Sequence, residues 1–385
     1  MKNTRNSKTL LTGSLVLSVS LMTAWAVERD GTQPDATPMD QLITATTSTA
    51  MSAVTWDLPV TRNDHVDTWI NFLKGRNRDQ TELWMERSGK YTPMIRERLR
   101  ARGMPEDLIY LAFIESGYST KARSHAAAVG LWQFIAETGK RYGLEVNSYV
   151  DERRDPVEST EAALDYLQEL YDRFGSWYLA AAAYNTGENR VARIMRQRTG
   201  SERGTDADFW KIANQLPRET RNYVPLMLAA GHIGKEPAKY GFEGVAYQEP
   251  IQFTNVHVPG GVSLGTVAKA AGVSEEAVKD LNPQFLRGVT PPKKTSVVRV
   301  PQGSELRFAE AFESVLRESK AAEAKQLAQA KVMKKKKTSG RYHSVRRGDN
   351  LSEIADRYNI SVKRLKSLNG MRGSLIKPGQ RLRIA

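Results

Sequence analysis

One stretch of the chain occurs twice, at a fixed offset of 87 residues, and this repeat limits what the C-terminal third can fold into. Val258, Gly261, Leu264, Val267, Ala268, Ser274, Leu281 and Asn282 recur as Val345, Gly348, Leu351, Ile354, Ala355, Ser361, Leu368 and Asn369. Val289 and Pro291 continue the register onto Ile376 and Pro378. In each copy a short strand leads through a glycine turn into a helix with apolar residues at i, i+3, i+4 and i+7 spacing, which stops at Gly272 or Asn359. A serine, Ser274 or Ser361, then caps a second short helix. Leu382 and Ile384 alternate as in a closing strand. The pattern predicts two small βααβ modules, over residues 250–302 and 341–385. Residues 303–340 between them are rich in Ala, Glu, Lys and Gln and end in Lys334 to Lys337, which reads as a helical, solvated linker. Its four lysines would be drawn weakly to an anionic surface at low salt.

The repeated unit resembles the LysM module, whose family binds glycans rich in N-acetylglucosamine. The second copy carries the resemblance through Val345-Arg346-Arg347-Gly348-Asp349-Asn350-Leu351. The first is degenerate: it lacks Gly-Asp at the turn and contains Pro283 and Pro292, which leaves its glycan binding open.

The strongest chemical signal lies upstream, in residues 108–134, where one carboxylate interrupts an apolar helix. Asp107 is placed to cap this helix. Leu108, Leu111 and Ala112 recur at three- and four-residue spacing, and Glu115 falls next on the same face. Ser116-Gly117 ends the helix, so Glu115 sits on its last turn. Desolvation and the negative end of the helix dipole both raise the pKa of such a group. A carboxyl that keeps its proton near neutral pH suits protonation of a glycosidic oxygen. Position alone also allows an ordinary helix-end glutamate that reaches solvent. Ser124, Gly130, Trp132 and Gln133 follow within a short loop and are sugar-binding types: a hydroxyl, a close-approach glycine, an indole and an amide.

Here the chain resembles the lytic transglycosylases with a goose-type lysozyme (SLT) fold, nearest to their membrane-bound murein transglycosylase D group. The resemblance rests on Glu115-Ser116, Ser124, Gly130-Leu131-Trp132-Gln133-Phe134, Arg153-Arg154-Asp155-Pro156, Tyr184-Asn185-Thr186-Gly187 and Glu219-Thr220-Arg221-Asn222-Tyr223-Val224-Pro225. It implies a mainly α, lysozyme-like (α+β) catalytic domain, set at residues 101–240 behind leading helices in 57–100. It also implies that Glu115 is a single acid and base acting on the β-1,4 bond between N-acetylmuramic acid and N-acetylglucosamine in peptidoglycan. The N-acetyl group would support the reacting centre, and the muramic 6-hydroxyl would close a 1,6-anhydro ring. Ser124, Gln133, Tyr184 and Asn185 would hold the acetamido group and orient Glu115, with the Tyr184 hydroxyl directed at the glutamate or the substrate. Tyr223 would line the glycan groove. No cofactor and no metal are implied.

Other residues read more plainly. Asp155-Pro156 opens a helix as cap and first-turn proline. Arg153, Arg154 and Asp155 together read as that cap plus a surface ion pair. Ser176 starts the next helix, in which Trp177 and Tyr178 read as core. Gly75 and Gly89 read as breaks between leading helices. Glu137, Asp151 and Glu152 are the further carboxylates near the motif, but none has an apolar setting like that of Glu115, which favours one acid over two. A muramidase that uses water shares every motif named, and a non-catalytic wall-binding scaffold would share the modules and the basic charge.

Lys2, Arg5 and Lys8 precede an apolar run at 10–25 and Ala24-Trp25-Ala26, the pattern of a signal peptide over residues 1–26. Residues 27–56 read as a disordered tether. The chain has no cysteine, which removes disulfides, thiolate metal sites and a lipid anchor, although transglycosylases of the D group are usually lipoproteins. A net charge of +14 calls for an anionic partner. Export disfavours nucleic acid and favours peptidoglycan strands, in the periplasm or cell envelope, with membrane association if the signal is retained.

Overall fold

The structure, a computed structural model, describes residues 54–338 and 341–385, with backbone alone for residues 332–338. The signal segment, the tether up to residue 53 and the side chains of Lys334 to Lys337 lie outside the described residues. The chain forms two compact units that divide between Glu310 and Ala311. Its class is the expected one, a mainly helical domain followed by two βααβ copies.

Among the described residues the helical domain is laid down in nine α-helices. α1 (Asp64–Lys74) is capped by Asn63, whose side chain accepts the Val66 N–H at 3.1 Å, and it buries Val66, Ile70 and Leu73 as one stripe. α2 (Arg78–Ala101) runs straight through Gly89. The glycine marks a close approach there instead of a break, because a Cβ would stand 2.4 Å from the Gln248 carbonyl oxygen. α3 (Ile109–Ser116) and α4 (Ala136–Arg141) flank the motif loop. Asp155 Oδ1 accepts the N–H groups of Val157 and Glu158 at 2.9 and 3.1 Å and caps α5 (Glu158–Phe174) as the sequence predicts. Ser176 caps α6 (Trp177–Thr186), and all ten residues of α6 are buried, which makes it the central helix. Trp177 and Tyr178 are core, with the first ring stacked 4.1 Å from Tyr171. α7 (Glu188–Thr199), α8 (Asp206–Ile212) and α9 (Arg218–Lys235) complete the layer. The leading helices share one hydrophobic core with α3, α6 and α9. Trp56, at the end of the stretch read as a tether, packs on this domain, and its ring meets His232 edge-on at 5.0 Å.

The first βααβ copy joins this body. β1 (Phe253–Val258) pairs antiparallel with β2 (Ser296–Pro301) around α10 (Leu264–Ala271) and α11 (Glu275–Leu281). α12 (Glu305–Thr338) follows and crosses the division between units. In the second copy β3 (Tyr342–Ser344) pairs with β4 (Arg381–Arg383) around α13 (Leu351–Arg357) and α14 (Val362–Leu368), with a core of its own built on Ile354, Leu365 and Leu382. Among the described residues no helix is long and apolar enough to cross a membrane.

Candidate active site

Every residue of α3 is buried, and Glu115 in its last turn is only 3% exposed. Gly117 ends the helix at φ +55°, and a Cβ there would stand 1.9 Å from Trp84 Cδ1, so both conformation and space require glycine. The start of α3 differs from expectation. Asp107 does not cap it but lies in a 3-10 turn, where its carboxylate meets Lys235 Nζ at 2.5 Å and accepts the Asp57 N–H at 3.0 Å. Asp57 holds the start of that 3-10 turn, accepting the N–H groups of Glu106 and Asp107 at 2.5 and 3.0 Å. Both partners come from distant sequence, which local pattern cannot reveal.

Tyr223, buried on α9, donates its hydroxyl to Glu115 Oε1 at 2.6 Å. Glu115 Oε2 is buried and has no hydrogen-bond partner among the described residues. Desolvation pushes the Glu115 carboxyl up to about 8; the Tyr223 bond opposes this and the negative charge of Glu219 adds to it. The C-terminal end of α3 acts in the same upward direction. The group therefore holds its proton at neutral pH.

Glu219 is the carboxylate that sequence reasoning missed. It stands one turn before Tyr223 on α9, so that both side chains share a helix face, and this i, i+4 spacing was the available signal. Asn185, from the end of α6, donates to Glu219 Oε1 at 3.3 Å and accepts the Thr220 hydroxyl at 2.7 Å. Partial burial raises the Glu219 pKa above its ordinary value. Three helices thus converge on Glu115: α3 carries it, α9 brings Tyr223 and Glu219, and α6 brings Asn185 and Tyr184.

Several expected contacts lie elsewhere. The Tyr184 hydroxyl is not bonded to Glu115; it donates to the Trp132 carbonyl at 2.8 Å. Burial, and then the nearby charge of Glu115, keep that phenol protonated. Trp132 is fully buried and donates its Nε1–H to Thr160 Oγ1 at 2.9 Å, so its indole is core and not a sugar platform. Ser124 and Gln133 are buried in the motif loop and close it on itself. Ser124 Oγ accepts the Ala128 N–H at 3.1 Å, and the Gln133 amide donates to the Gly130 carbonyl at 2.8 Å from a left-handed backbone (φ +48°). Neither is hydrogen-bonded to Glu115.

The ion pair expected at the surface is buried. Asp151 grips Arg153 through both carboxylate oxygens at 2.8 Å, and Asp155 Oδ2 meets Arg299 Nη1 at 2.7 Å. Asp151 is thereby committed to Arg153. Glu152 Oε2 accepts the Glu145 N–H at 2.6 Å, and Glu137 lies exposed on the first turn of α4.

Residues 93–206 match the family model of the Transglycosylase SLT domain. Residues 252–315 match the LysM-like domain of lytic transglycosylase MltD, and residues 343–385 match the LysM domain. Over 299 residues the chain is 37% identical to membrane-bound lytic murein transglycosylase D of Escherichia coli (strain K12), covering 77% of this chain and 64% of that protein. It therefore spans a little under two thirds of that relative. Over 168 residues it is 25% identical to membrane-bound lytic murein transglycosylase C of Haemophilus ducreyi, covering 40% of this chain and 43% of the relative. The 70 kDa soluble lytic transglycosylase of Escherichia coli aligns over 48% of this chain and 30% of its own, at 21% identity and a TM-score of 0.34, too slight a likeness to bear on the fold.

Proposed function

We propose that this chain, which carries a Transglycosylase SLT domain ahead of an MltD-type LysM-like domain and a LysM domain, is a peptidoglycan lytic transglycosylase of the cell envelope. The observation that carries this reading is the Glu115 carboxyl, buried, with Tyr223 on Oε1 and, among the described residues, no partner on Oε2. When Tyr223 donates to Oε1, the acid's own proton resides on Oε2, the oxygen free to give it away.

In the proposed reaction Oε2–H protonates the glycosidic oxygen between N-acetylmuramic acid and N-acetylglucosamine. The C1–O bond breaks with its electron pair on the leaving oxygen, and the muramic acetamido oxygen supports C1. Glu115, now ionised, takes the proton of the muramic 6-hydroxyl as O6 bonds to C1. A 1,6-anhydro end forms without water, and the acid is restored. The 6-hydroxyl is tethered to the reacting ring, which gives it a high effective molarity against solvent. We assign Asn185 and Tyr184 to the walls of the site, Tyr223 to orienting Glu115, and Ser124 and Gln133 to the loop that meets the acetamido group.

Digestion of purified sacculi tests this: fragments should be lighter by one water than hydrolytic products and refuse borohydride. Glu115→Gln should fold and lose roughly 10³-fold or more in rate, since one side chain serves both proton transfers, each worth about 10²–10⁴. Because the protonated form is the active one, kcat/KM should fall as pH rises through about 8. Borohydride-reactive, hydrated fragments would instead mean a muramidase. The half-buried Glu219, closer in effect to Glu115 than Glu137, Asp151 or Glu152, would then be the base to test.

A further inference from the structure

The first βααβ copy is fastened to the helical domain by an edge of backbone pairing and a buried ion pair. The Asp151 N–H donates to the Gln284 carbonyl and the Leu286 N–H to the Tyr149 carbonyl, both at 2.9 Å, and Val150 bridges Phe285 antiparallel. Arg299 of β2 reaches Asp155 at 2.7 Å, with both side chains under a tenth exposed. Lys90 with Asp280 and Lys294 with Glu145 add pairs at 2.7 and 2.6 Å at the rim.

The segment so gripped, residues 149–155, lies beyond α4 in sequence and packs against the motif loop. Its Asp151 holds the Arg153 guanidinium in a two-point clasp. Arg153 Nη1 in turn donates to the carbonyls of Ala127 and Phe134, both at 3.0 Å. Those carbonyls bracket the part of the loop that carries Gln133, and Ser124 lies just before it. The loop also presses against this segment at Gly130, where a Cβ would stand 1.7 Å from the Arg153 carbonyl oxygen. A planar five-donor guanidinium is suited to fixing two carbonyls and a carboxylate at once.

We propose that the first LysM-like copy acts as a positioning element of the catalytic site, through Arg299 on Asp155 and through the Asp151–Arg153 clasp on the Ser124–Gln133 loop, and not as a second wall-binding module. This rests on the transglycosylase reading, in which that loop meets the acetamido group. Small displacements of such a loop lower turnover although no reacting group is removed.

The test uses the full chain and a soluble glycan of a few disaccharides. Arg299→Gln should lower kcat/KM roughly tenfold at a temperature where circular dichroism shows it folded. Its retention on insoluble sacculi should stay within about twofold of wild type. Arg299→Lys, which keeps the charge, should recover most of the loss, and Arg153→Lys, which loses the fork, should lose about as much as Arg299→Gln. Unchanged turnover with lost retention would overturn the proposal. Should Arg299→Gln fail to fold, the absence of native cysteine allows spin labels at cysteines introduced for Lys140 and Val297. A narrow distance distribution is required, and a broad one overturns the proposal. Wild-type chain that releases no anhydro fragments would instead count against the transglycosylase reading, and the distance measurement would still decide whether the copy is fixed.

Discussion

Asn282 and Asn369 stand at the same place in the two copies and hold the same clamp. The Asn282 amide donates to the carbonyls of Val278 and Arg299 at 2.7 Å and accepts the Arg299 N–H at 2.9 Å. Asn369 donates to Leu365 and Arg383 at 2.8 Å and accepts the Arg383 N–H at 2.6 Å. Each asparagine ties the second helix to the closing strand. The clamped arginines then part company: Arg299 is buried on Asp155, whereas Arg383 turns back to the Ala385 carbonyl at 2.9 Å. The entry turns differ likewise. In the second copy Asp349 accepts the Arg346 N–H and meets His343 Nε2, both at 2.8 Å. The first has Val262 there, and its N–H goes to Thr290 Oγ1 at 3.0 Å. The pair teaches that a small module keeps its frame with a few internal bonds, while its outward side chains are free to become either docking contacts or a self-contained surface.

Three measurements press on this contrast. The largest effect is expected from the clamps, each worth about 3 kcal/mol at about 1 kcal/mol per bond. Asn282→Ala should lower the melting point of the catalytic unit and its activity together. Asn369→Ala should melt residues 341–385 and spare turnover of short glycans. A shared response to both changes would break the comparison. Next, a chain ending at residue 333 should be retained on sacculi roughly 100-fold less well, because avidity gains of that order depend on a second binding site. Its rate on short soluble glycans should stay within about twofold, and an equal loss on both substrates would tie the second copy to catalysis. The smallest effect concerns acid. The Arg346 N–H and His343 hold the Asp349 carboxylate below its ordinary range. A depressed native pKa stabilises the fold above the unfolded value of about 3.9 and is lost as pH falls through the native one. Tyrosine fluorescence of the second copy should therefore report loosening in that window, and Asp349→Asn should flatten the transition. The first copy, with Val262, has no such group to titrate at this position.

Local signals were legible in the sequence because their partners are local. Gly117, Ser176, Ser274, Ser361 and the Asp155 cap all act within one turn of the chain. Glu115 was legible as a candidate from the apolar face of its own helix, but that position alone also allowed a glutamate reaching solvent, and the motif that follows it decided the reading. What stayed hidden depends on long-range partners: Asp57 for Asp107, Gln248 for Gly89, the Trp132 carbonyl for Tyr184, and Arg299 for Asp155. An aromatic such as Trp132 can be platform or core, and only the arrival of Thr160 decides it. Tyr223 was placed along the groove by resemblance, but its bond to Glu115 requires α3 and α9 to be packed together.

Glu115 Oε2, buried and without a partner among the described residues, also sets a limit on how durable this protein can be while remaining active. A buried polar atom without a partner costs about 1–3 kcal/mol, and an apolar side chain of similar size would remove that penalty. A library randomised at position 115 and screened for heat resistance alone should enrich Met and Leu. The same library screened for lysis of cell walls should return Glu. The feature that equips the carboxyl to give up a proton is the one that a search for robustness would discard first.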